Sequence, residues 1–312
     1  MTQETTCITV LMGGPDRERE ISLLSGEAVA TALEAAPEFR VVRRVIDAPE
    51  LEELRAMLKE DGCDIVFPVL HGPWGEGGAL QELLRTLAMP YVGSGPEAAR
   101  RGMDKLASKM FASRLGIPTP PAREIIPGDA LDLDPPVVVK PTNDGSSIGV
   151  RMCRTDQELK DAITELTPLH SRLMCERLIE GRELTVSILG NTTLPAVEIL
   201  PSEGFYDFEA KYRRNDTTYT VDPPLEKEIS RTIARWSMEL AGVMGLRDLC
   251  RVDWLLDGDQ PWLLEVNTMP GMTSHSLLPQ AAAAKGIDMT QLCSIAVNQA
   301  LQRAQRTSQP KA

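Results

Sequence analysis

Oxygen-bearing side chains alternate with apolar ones in two neighbouring runs of the last third of the chain. Arg251 and Asp253 lie two residues apart in the first run, and Glu265 and Asn267 lie two residues apart in the second. Residues two apart on a strand point to the same face, so each run would present its polar pair in one direction. Asp and Gly at positions 257–259 are typical of a turn and predict an antiparallel hairpin.

Such a hairpin would bring Asp253, Glu265 and Asn267 together as a candidate metal site. Their oxygens are hard ligands, and Mg²⁺ binds through a few carboxylates, waters and substrate phosphates. Spacing alone leaves a second interpretation open, in which the hairpin is half buried and its polar face meets water.

A lysine inside an apolar run indicates a second kind of chemistry. Lys140 follows three valines, and residues 142–150 then form a stretch rich in Gly and Ser. A buried charge without a partner is costly, so Lys140 needs an anion beside it. Backbone N–H groups and hydroxyls of a Gly/Ser loop also bind anions, and phosphate fits both features. The alternative is an ordinary flexible hairpin loop.

The elements that would position these residues begin with a region of alternating strands and helices. This alternation predicts a parallel sheet, with ligands at the carboxyl ends of its strands. Gly13-Gly14 and His71-Gly72 follow two of these strands. His71 has no neighbouring His or Cys in the sequence, so we expect it to line a substrate pocket rather than to bind a metal. No G-x-G-x-x-G or G-x-x-x-x-G-K-[ST] motif occurs, which argues against a dinucleotide fold and a Walker loop.

Two helices are predicted from periodicity. The first begins near Glu18, which by itself is a first-turn acid favoured by the helix dipole. Its predicted apolar side consists of Ile21, Leu24, Ala28 and Leu33. The second is predicted as one continuous helix over residues 97–115, ending before Gly116.

Several motifs together resemble one enzyme family. Residues 265–277 read Glu-Val-Asn-Thr-Met-Pro-Gly-Met-Thr-Ser-His-Ser-Leu, and Arg-Val-Asp precedes them at 251–253. With Met-Asp-Lys at 103–105 and Glu-Arg-Glu-Ile-Ser at 18–22, they resemble the D-alanine–D-alanine ligases of the ATP-grasp superfamily. The resemblance runs from Gly13 to the final predicted helix. Pro15-Asp16 departs from the family pattern of small hydroxyl-bearing residues.

The resemblance implies a role for each residue that matches a family motif. Glu18 would contact the ammonium of the first amino acid, while Ser276 and Leu277 would hold the carboxylate of the second. The residues implied to act on the amino acids or in catalysis are Glu18, His71, Ser146, Tyr212, Arg251, Gly271, Ser276 and Leu277. Those implied to bind ATP are Lys105, Lys140, Ser147, Glu176, Glu183 and Lys211, and the implied ligands of two Mg²⁺ or Mn²⁺ ions are Asp253, Glu265 and Asn267.

The family's architecture is an α/β ATP-grasp fold. The resemblance implies an N-terminal parallel α/β substrate domain at residues 1–96, a central lid domain at 97–181 and a C-terminal catalytic domain at 182–312. The last two would be α+β domains that clamp ATP between them. The implied activity is ATP-dependent ligation of two D-alanines through an acyl phosphate, for peptidoglycan precursor synthesis, by a cytoplasmic homodimer.

Two other functions stay open. A related ligase could use another second substrate such as D-lactate, although the resemblance places Tyr212 in a closing loop where it favours an amine. The second open function is that of a catalytically inactive relative that binds a nucleotide. An NAD-dependent oxidoreductase is disfavoured because the glycine fingerprint is missing.

Composition limits the function classes further. The chain has 312 residues and a net charge of −12, from 33 basic and 45 acidic residues, which argues against a nucleic-acid partner. Six scattered cysteines predict buried thiols in a reducing compartment. No basic and apolar leader and no apolar stretch of roughly 20 residues occurs, so we expect no membrane association.

Overall fold

The computed structural model describes residues 5–128, 131–200 and 217–308. The first unit is a parallel sheet with strand order β2-β1-β3. Its strands are β1 (Thr6–Gly13), β2 (Phe39–Ile46) and β3 (Ile65–Pro68). Its helices are α1 (Arg19–Glu34), α2 (Leu51–Asp61), α3 (Gly72–Gly75) and α4 (Ala79–Thr86). The predicted alternation and the parallel sheet are confirmed.

The predicted apolar side of α1 is wrong in one respect. Leu24 is 61% exposed, and the buried face contains Ser22, Ser25 and Gly26. A Cβ atom on Gly26 would lie 2.6 Å from the Cβ of Met12, so the helix lies too close to β1 for a larger residue. Ser22 Oγ accepts a hydrogen bond from Gly13 N at 2.8 Å and donates to Val69 O at 2.5 Å. Close packing therefore selects small residues on this face.

The second unit contains an antiparallel sheet with strand order β4-β7-β5-β6. Its strands are β4 (Ala122–Ile125), β5 (Val137–Pro141), β6 (Arg151–Cys153) and β7 (Leu173–Arg177). The helices of this region are α5 (Pro96–Met103), α6 (Lys105–Arg114) and α7 (Asp156–Leu166).

The predicted continuous helix over residues 97–115 is broken at Asp104. This residue has extended backbone angles, and its side chain accepts a hydrogen bond from Ala107 N at 3.0 Å. Asp is a preferred N-cap because its carboxylate satisfies an otherwise unpaired N–H. The break starts a new helix at Lys105, whose backbone N–H donates to Thr142 O at 2.9 Å.

The third unit is an antiparallel sheet in which β11, β10, β8, β12 and β13 follow one another, with β9 paired to β8. Its strands are β8 (Arg182–Leu189), β9 (Thr192–Thr193), β10 (Val197–Leu200), β11 (Thr218–Val221), β12 (Leu249–Asp257) and β13 (Gln260–Asn267). The helices are α8 (Lys227–Met244), α9 (Leu277–Ala283) and α10 (Met289–Ser308). The predicted hairpin is confirmed as β12 and β13.

One hydrophobic core joins the two ends of the described chain. Val29 and Leu33 of α1 belong to the same buried cluster as Leu292 and Ala296 of α10. In the described part of the chain, no helix combines the length and the apolar character needed to cross a membrane.

Candidate active site

The β12–β13 hairpin places the predicted metal ligands side by side. Asp253 is paired with Glu265, and Arg251 is paired with Asn267. Asp253 is buried and accepts hydrogen bonds from Arg251 at 2.8 and 2.9 Å, and from Asn267 Nδ2 at 2.8 Å. Thr185 Oγ1 donates a further bond of 2.6 Å to Asp253. This carboxylate is therefore held rigidly.

The donor set of this hairpin suits a hard cation. Asn267 uses its Nδ2 toward Asp253, which leaves its Oδ1 as an oxygen able to bind a cation. Glu265 adds a second carboxylate, and Lys105 Nζ lies 3.4 Å from its Oε2. Among the described residues, no group of three or more His, Cys, Asp or Glu side chains could hold a metal alone. A cation here would consequently need water or substrate oxygens as well, as is usual for Mg²⁺.

A cavity of about 820 Å³ opens between the second and third sheets. It brings together every described residue that was expected to bind ATP. Those lining residues are Lys105, Lys140, Ser147, Glu176 and Glu183, and Glu265 lies among them. The expected Lys211 lies outside the described residues.

A buried carboxylate at the back of this cavity contacts two lysines. Glu176 Oε1 accepts a hydrogen bond from Lys140 Nζ, and Lys109 Nζ lies 2.7 Å from Glu176 Oε2. Burial raises the pKa of Glu176, but the two lysines outweigh burial and hold it below its ordinary value. Glu176 is therefore a carboxylate at neutral pH.

A second cavity, of about 670 Å³, contains the described residues that were expected to bind the amino acids. They are Glu18, His71, Ser146, Arg251, Gly271, Ser276 and Leu277, and Asn267 also lines this space. The expected Tyr212 lies outside the described residues.

Glu18 links the first sheet to the Gly/Ser loop of the second. It is 5% exposed, and Ser146 Oγ donates a 3.0 Å hydrogen bond to its Oε1. Burial raises the pKa of Glu18, with Ser146 acting against that shift. Ser146 and Ser147 both have positive φ, at 55° and 56°, so the loop turns sharply over Glu18.

His71 is a neutral imidazole in this environment. Burial lowers its pKa to about 4, and its Nδ1 lies 3.1 Å from Met269 O. Because a carbonyl oxygen can only accept, Nδ1 carries the proton and Nε2 keeps a lone pair. Within the described chain, Nε2 has no hydrogen-bond partner although it is buried. A substrate N–H or O–H group in the cavity could fill that role.

The loop after β13 places Gly271 against Ser276. A Cβ atom on Gly271 would lie 2.8 Å from Ser276 Oγ, so the two residues can approach only because position 271 is glycine. Ser276 precedes α9, and its Oγ accepts a hydrogen bond of 3.1 Å from Thr273 N. The Gly271 N–H and the Ser276 hydroxyl are thus parts of one compact loop.

Two protein-family models match this chain. Residues 125–298 match the family model described as "D-ala D-ala ligase C-terminus", and residues 46–94 match "D-ala D-ala ligase N-terminus". The first match alone covers more than half of the chain.

The chain belongs to the D-alanine–D-alanine ligase family.

Curated members of this ligase family align with nearly the whole chain. A D-alanine–D-alanine ligase of Synechococcus sp. (strain JA-3-3Ab) is 40% identical, with 96% of this chain and 95% of the relative covered. A D-alanine–D-alanine ligase B of Chromobacterium violaceum is also 40% identical, with 92% and 95% covered.

Solved structures of the family confirm the ATP-grasp fold. The D-alanine–D-alanine ligase of Bacillus anthracis, complexed with ATP, superposes with a TM-score of 0.85 at 28% identity and covers 97% of this chain and 100% of its own. The ligase of Coxiella burnetii gives a TM-score of 0.82 at 26% identity, with 97% and 96% covered.

Sequence reasoning missed two charged residues at this ligase-family site. Lys109 lies four residues after Lys105 on α6, and this helical spacing was the available signal. Glu76 lies among the glycines that follow β3, and its Oε2 accepts a 3.1 Å hydrogen bond from Met269 N. Burial and the charge of Glu18 raise the pKa of Glu76 to about 8.

Proposed function

We propose that the chain joins two D-alanine molecules into D-alanyl-D-alanine and uses ATP to drive the reaction. The observation that carries this proposal is that β13 supplies Glu265 to the larger cavity and Asn267 to the second cavity. Residues two apart on a strand lie on one face, about 7 Å apart. A phosphoryl donor in one cavity can therefore meet an acceptor in the other. Membership of the ligase family indicates that the donor is ATP and the acceptor is D-alanine.

The first step activates a carboxylate, which is a poor acyl donor. A carboxylate oxygen of the first D-alanine attacks the γ-phosphorus of ATP, the bond to the β-phosphate oxygen breaks, and ADP and an acyl phosphate result. Positioning and charge neutralisation supply most of the catalysis of such transfers. Lys105 and Lys140 would neutralise the phosphates, and Glu18 would hold the ammonium group of the D-alanine. Glu176, Glu183 and Ser147 would hold the remainder of the nucleotide.

Asp253, Glu265 and Asn267 would hold Mg²⁺ or Mn²⁺, and we propose two ions. The hard-oxygen donor set and the charge of two carboxylates support this assignment. When bound, the cations would neutralise developing negative charge on the transferring phosphoryl group. Lys105, beside Glu265, would add a fixed positive charge at the same place.

The second step forms the peptide bond. The uncharged amine of the second D-alanine attacks the acyl carbon, the bond from that carbon to the phosphate oxygen breaks, and one N–H proton passes to the departing phosphate. Arg251 and the backbone N–H of Gly271 would stabilise the oxyanion of the tetrahedral intermediate. Ser276 and Leu277 would hold the carboxylate of the second D-alanine, and neutral His71 would accept a hydrogen bond from a substrate.

The loops around the site and the cellular role complete the proposed function. Ser146, Lys211 and Tyr212 would connect the closing loops to the bound substrates. The chain would work as a cytoplasmic homodimer that supplies peptidoglycan precursors, with divisions at residues 1–96, 97–181 and 182–312. Closure of the central region would exclude water, which otherwise hydrolyses an acyl phosphate.

Phosphate release tests the proposed function directly. The protein is mixed with ATP and Mg²⁺ and then with D-alanine, with L-alanine, or with D-alanine plus D-lactate, and the products are identified by mass spectrometry. We expect release that depends on D-alanine and yields the dipeptide. Phosphate release only in the presence of another acceptor would mean that the second substrate is not D-alanine. ATP binding without any release would favour an inactive relative.

A further inference from the structure

Lys109 is a buried lysine that lies behind the nucleotide cavity. Its side chain is 6% exposed, and it does not belong to the cavity lining, whereas its neighbours Lys140, Glu176 and Pro120 do. Lys109 comes from α6, which also provides Lys105, one helical turn earlier. None of the residues proposed to bind ATP is Lys109, so its charge has no assigned function.

Three acceptors surround the Lys109 amine. Lys109 Nζ donates to Thr119 Oγ1 at 2.7 Å and to Pro120 O at 3.4 Å, and lies 2.7 Å from Glu176 Oε2. Thr119 Oγ1 donates its own proton to Leu263 O at 3.2 Å, so it acts as an acceptor toward the lysine. An amine that faces three acceptors needs three N–H bonds, so Lys109 is an ammonium here, although burial lowers its pKa and Glu176 acts against that shift.

The three charges of this cluster do not cancel. Glu176 contacts Lys109 through Oε2 and Lys140 through Oε1. One carboxylate against two ammonium groups leaves one positive charge, and of the two lysines only Lys140 lines the cavity. If Lys109 were neutral, Glu176 would cancel Lys140, and the back of the cavity would lose its attraction for an anion.

We propose that Lys109 is a positioning residue, which neutralises Glu176 from behind and thereby keeps the charge of Lys140 available to the phosphates of ATP. This inference rests on the proposed function only in that the larger cavity is taken to bind ATP. The side chain of Lys109 does not line the cavity, whereas Glu176 and Pro120, which it contacts, do.

Binding measurements on Lys109→Met test this inference. Methionine keeps the length and apolar stem of lysine but removes the charge. We expect ATP affinity, measured by calorimetry, to fall about tenfold, which is the scale of one lost charge near a phosphate in a partly shielded site. Adenosine has no phosphates, and its affinity should change less than about threefold. Equal losses for ATP and adenosine would overturn the proposal and indicate a packing defect.

Thr119→Val is the matched control. It removes a neutral hydrogen bond to the same amine and leaves the three charges in place, so ATP affinity should stay within about threefold of wild type. If Thr119→Val weakens ATP binding as much as Lys109→Met does, local packing explains both.

A double-mutant cycle with Glu176→Gln gives a second, independent test. In the Glu176→Gln background Lys140 is no longer neutralised, so adding Lys109→Met should weaken ATP binding less than about threefold. A tenfold loss in both backgrounds would exclude neutralisation of Glu176 as the role of Lys109.

These binding data separate this inference from the proposed ligase activity. Wild-type protein that binds ATP but releases no phosphate with D-alanine would contradict the proposed function alone. Wild-type protein that releases phosphate with D-alanine, combined with unchanged ATP affinity in Lys109→Met, would contradict the inference alone. Wild-type protein that does not bind ATP would contradict both.

Discussion

At the scale of single residues, environment decides what each acid does. Asp253 accepts hydrogen bonds from Arg251, Thr185 and Asn267. Glu265, in contrast, lines the larger cavity together with Lys105. The two carboxylates lie on neighbouring strands, but only Glu265 lines a cavity. The hydrogen bonds to Asp253 fix the geometry of the hairpin, and Glu265 faces the cavity that we propose to bind ATP.

Glu265→Gln should reduce turnover on the order of 100-fold, because an amide cannot provide the negative charge that a divalent cation requires. D-alanine-dependent phosphate release at saturating ATP measures this loss. Asp259→Asn, in the exposed turn of the same hairpin, is the control and should keep wild-type activity. Near-normal turnover of Glu265→Gln would remove Glu265 from the proposed metal site.

Glu76 makes stability depend on pH. Its pKa rises from 4.5 to about 8 because of burial and the nearby Glu18. The folded protein keeps this proton where the unfolded chain has lost it, so the stabilisation is complete below about pH 4.5 and is lost as the pH rises through 8. Urea unfolding between about pH 5 and pH 8 should show a smaller loss of stability in Glu76→Gln than in wild type.

The control for that measurement is Glu20→Gln, which removes an exposed acid from the first turn of α1. It should keep the wild-type dependence of unfolding free energy on pH. Identical pH profiles of Glu76→Gln and wild type would show that Glu76 titrates normally.

At the scale of elements, the sequence predicts strands better than helix faces. The hairpin of β12 and β13 follows from period-two alternation around an Asp-Gly turn, and the pattern itself determines which side chains converge. The buried face of α1 could not be predicted in this way. Ser22 is buried because its hydroxyl joins Gly13 N to Val69 O, and such long-range partners leave no periodic signal.

The break between α5 and α6 could not be predicted from the spacing of apolar residues either. Asp104 caps Ala107 N and also accepts a 2.7 Å bond from Arg172, 68 positions later in the chain. Glu76 and Lys109 were missed for a similar reason, since their partners Met269 and Glu176 are distant in sequence. By contrast, the described residues that the resemblance assigns to ATP, to the amino acids or to catalysis line the two cavities, whereas the predicted metal ligand Asp253 lines neither.

Asp104→Ala should therefore lower the free energy of unfolding by about 1 kcal/mol, the typical value of an N-cap. It should also raise the KM for ATP, because the cap fixes the start of α6 and thus Lys105. Urea unfolding and steady-state kinetics measure the two effects.

Thr155→Ala is the matched control for Asp104→Ala. Thr155 caps α7 through Glu158 N and lines neither cavity. Stability should fall by a similar amount without a change in the KM for ATP. A raised KM in both variants would mean that any loss of helix capping disturbs the nucleotide site.

At the scale of the whole molecule, the last helix holds the first sheet to the third. Arg303 of α10 donates to Asp248 at 2.5 and 2.9 Å and to Tyr91 O at 2.9 Å, and Asp248 accepts from Gly93 N at 2.7 Å. The side chain of Asp248 is only 2% exposed, so its carboxylate contacts these partners rather than water. The sequence gives no hint of this arrangement, because its members come from three distant segments.

Arg303→Met should cost about 3 kcal/mol of stability, since it leaves a buried carboxylate without its charged partner. The exposed pair of Arg235 and Glu239 on α8 provides the control, and Arg235→Met should cost less than about 1 kcal/mol. Both values come from urea unfolding. A small cost for Arg303→Met would show that the apolar core alone joins the two units.

The position of Glu265 and Asn267 on one strand has a consequence for how the enzyme can move. Two residues of β13 are separated by covalent bonds and fixed by the ladder to β12, so their spacing cannot change when neighbouring units open or close. Motion of the second sheet would alter access to the nucleotide but not the distance between the two chemical centres. The rate of substrate exchange and the geometry of the reaction would thus depend on different parts of the molecule. Substitutions in the second sheet should change how fast substrates exchange without shifting the point where they react.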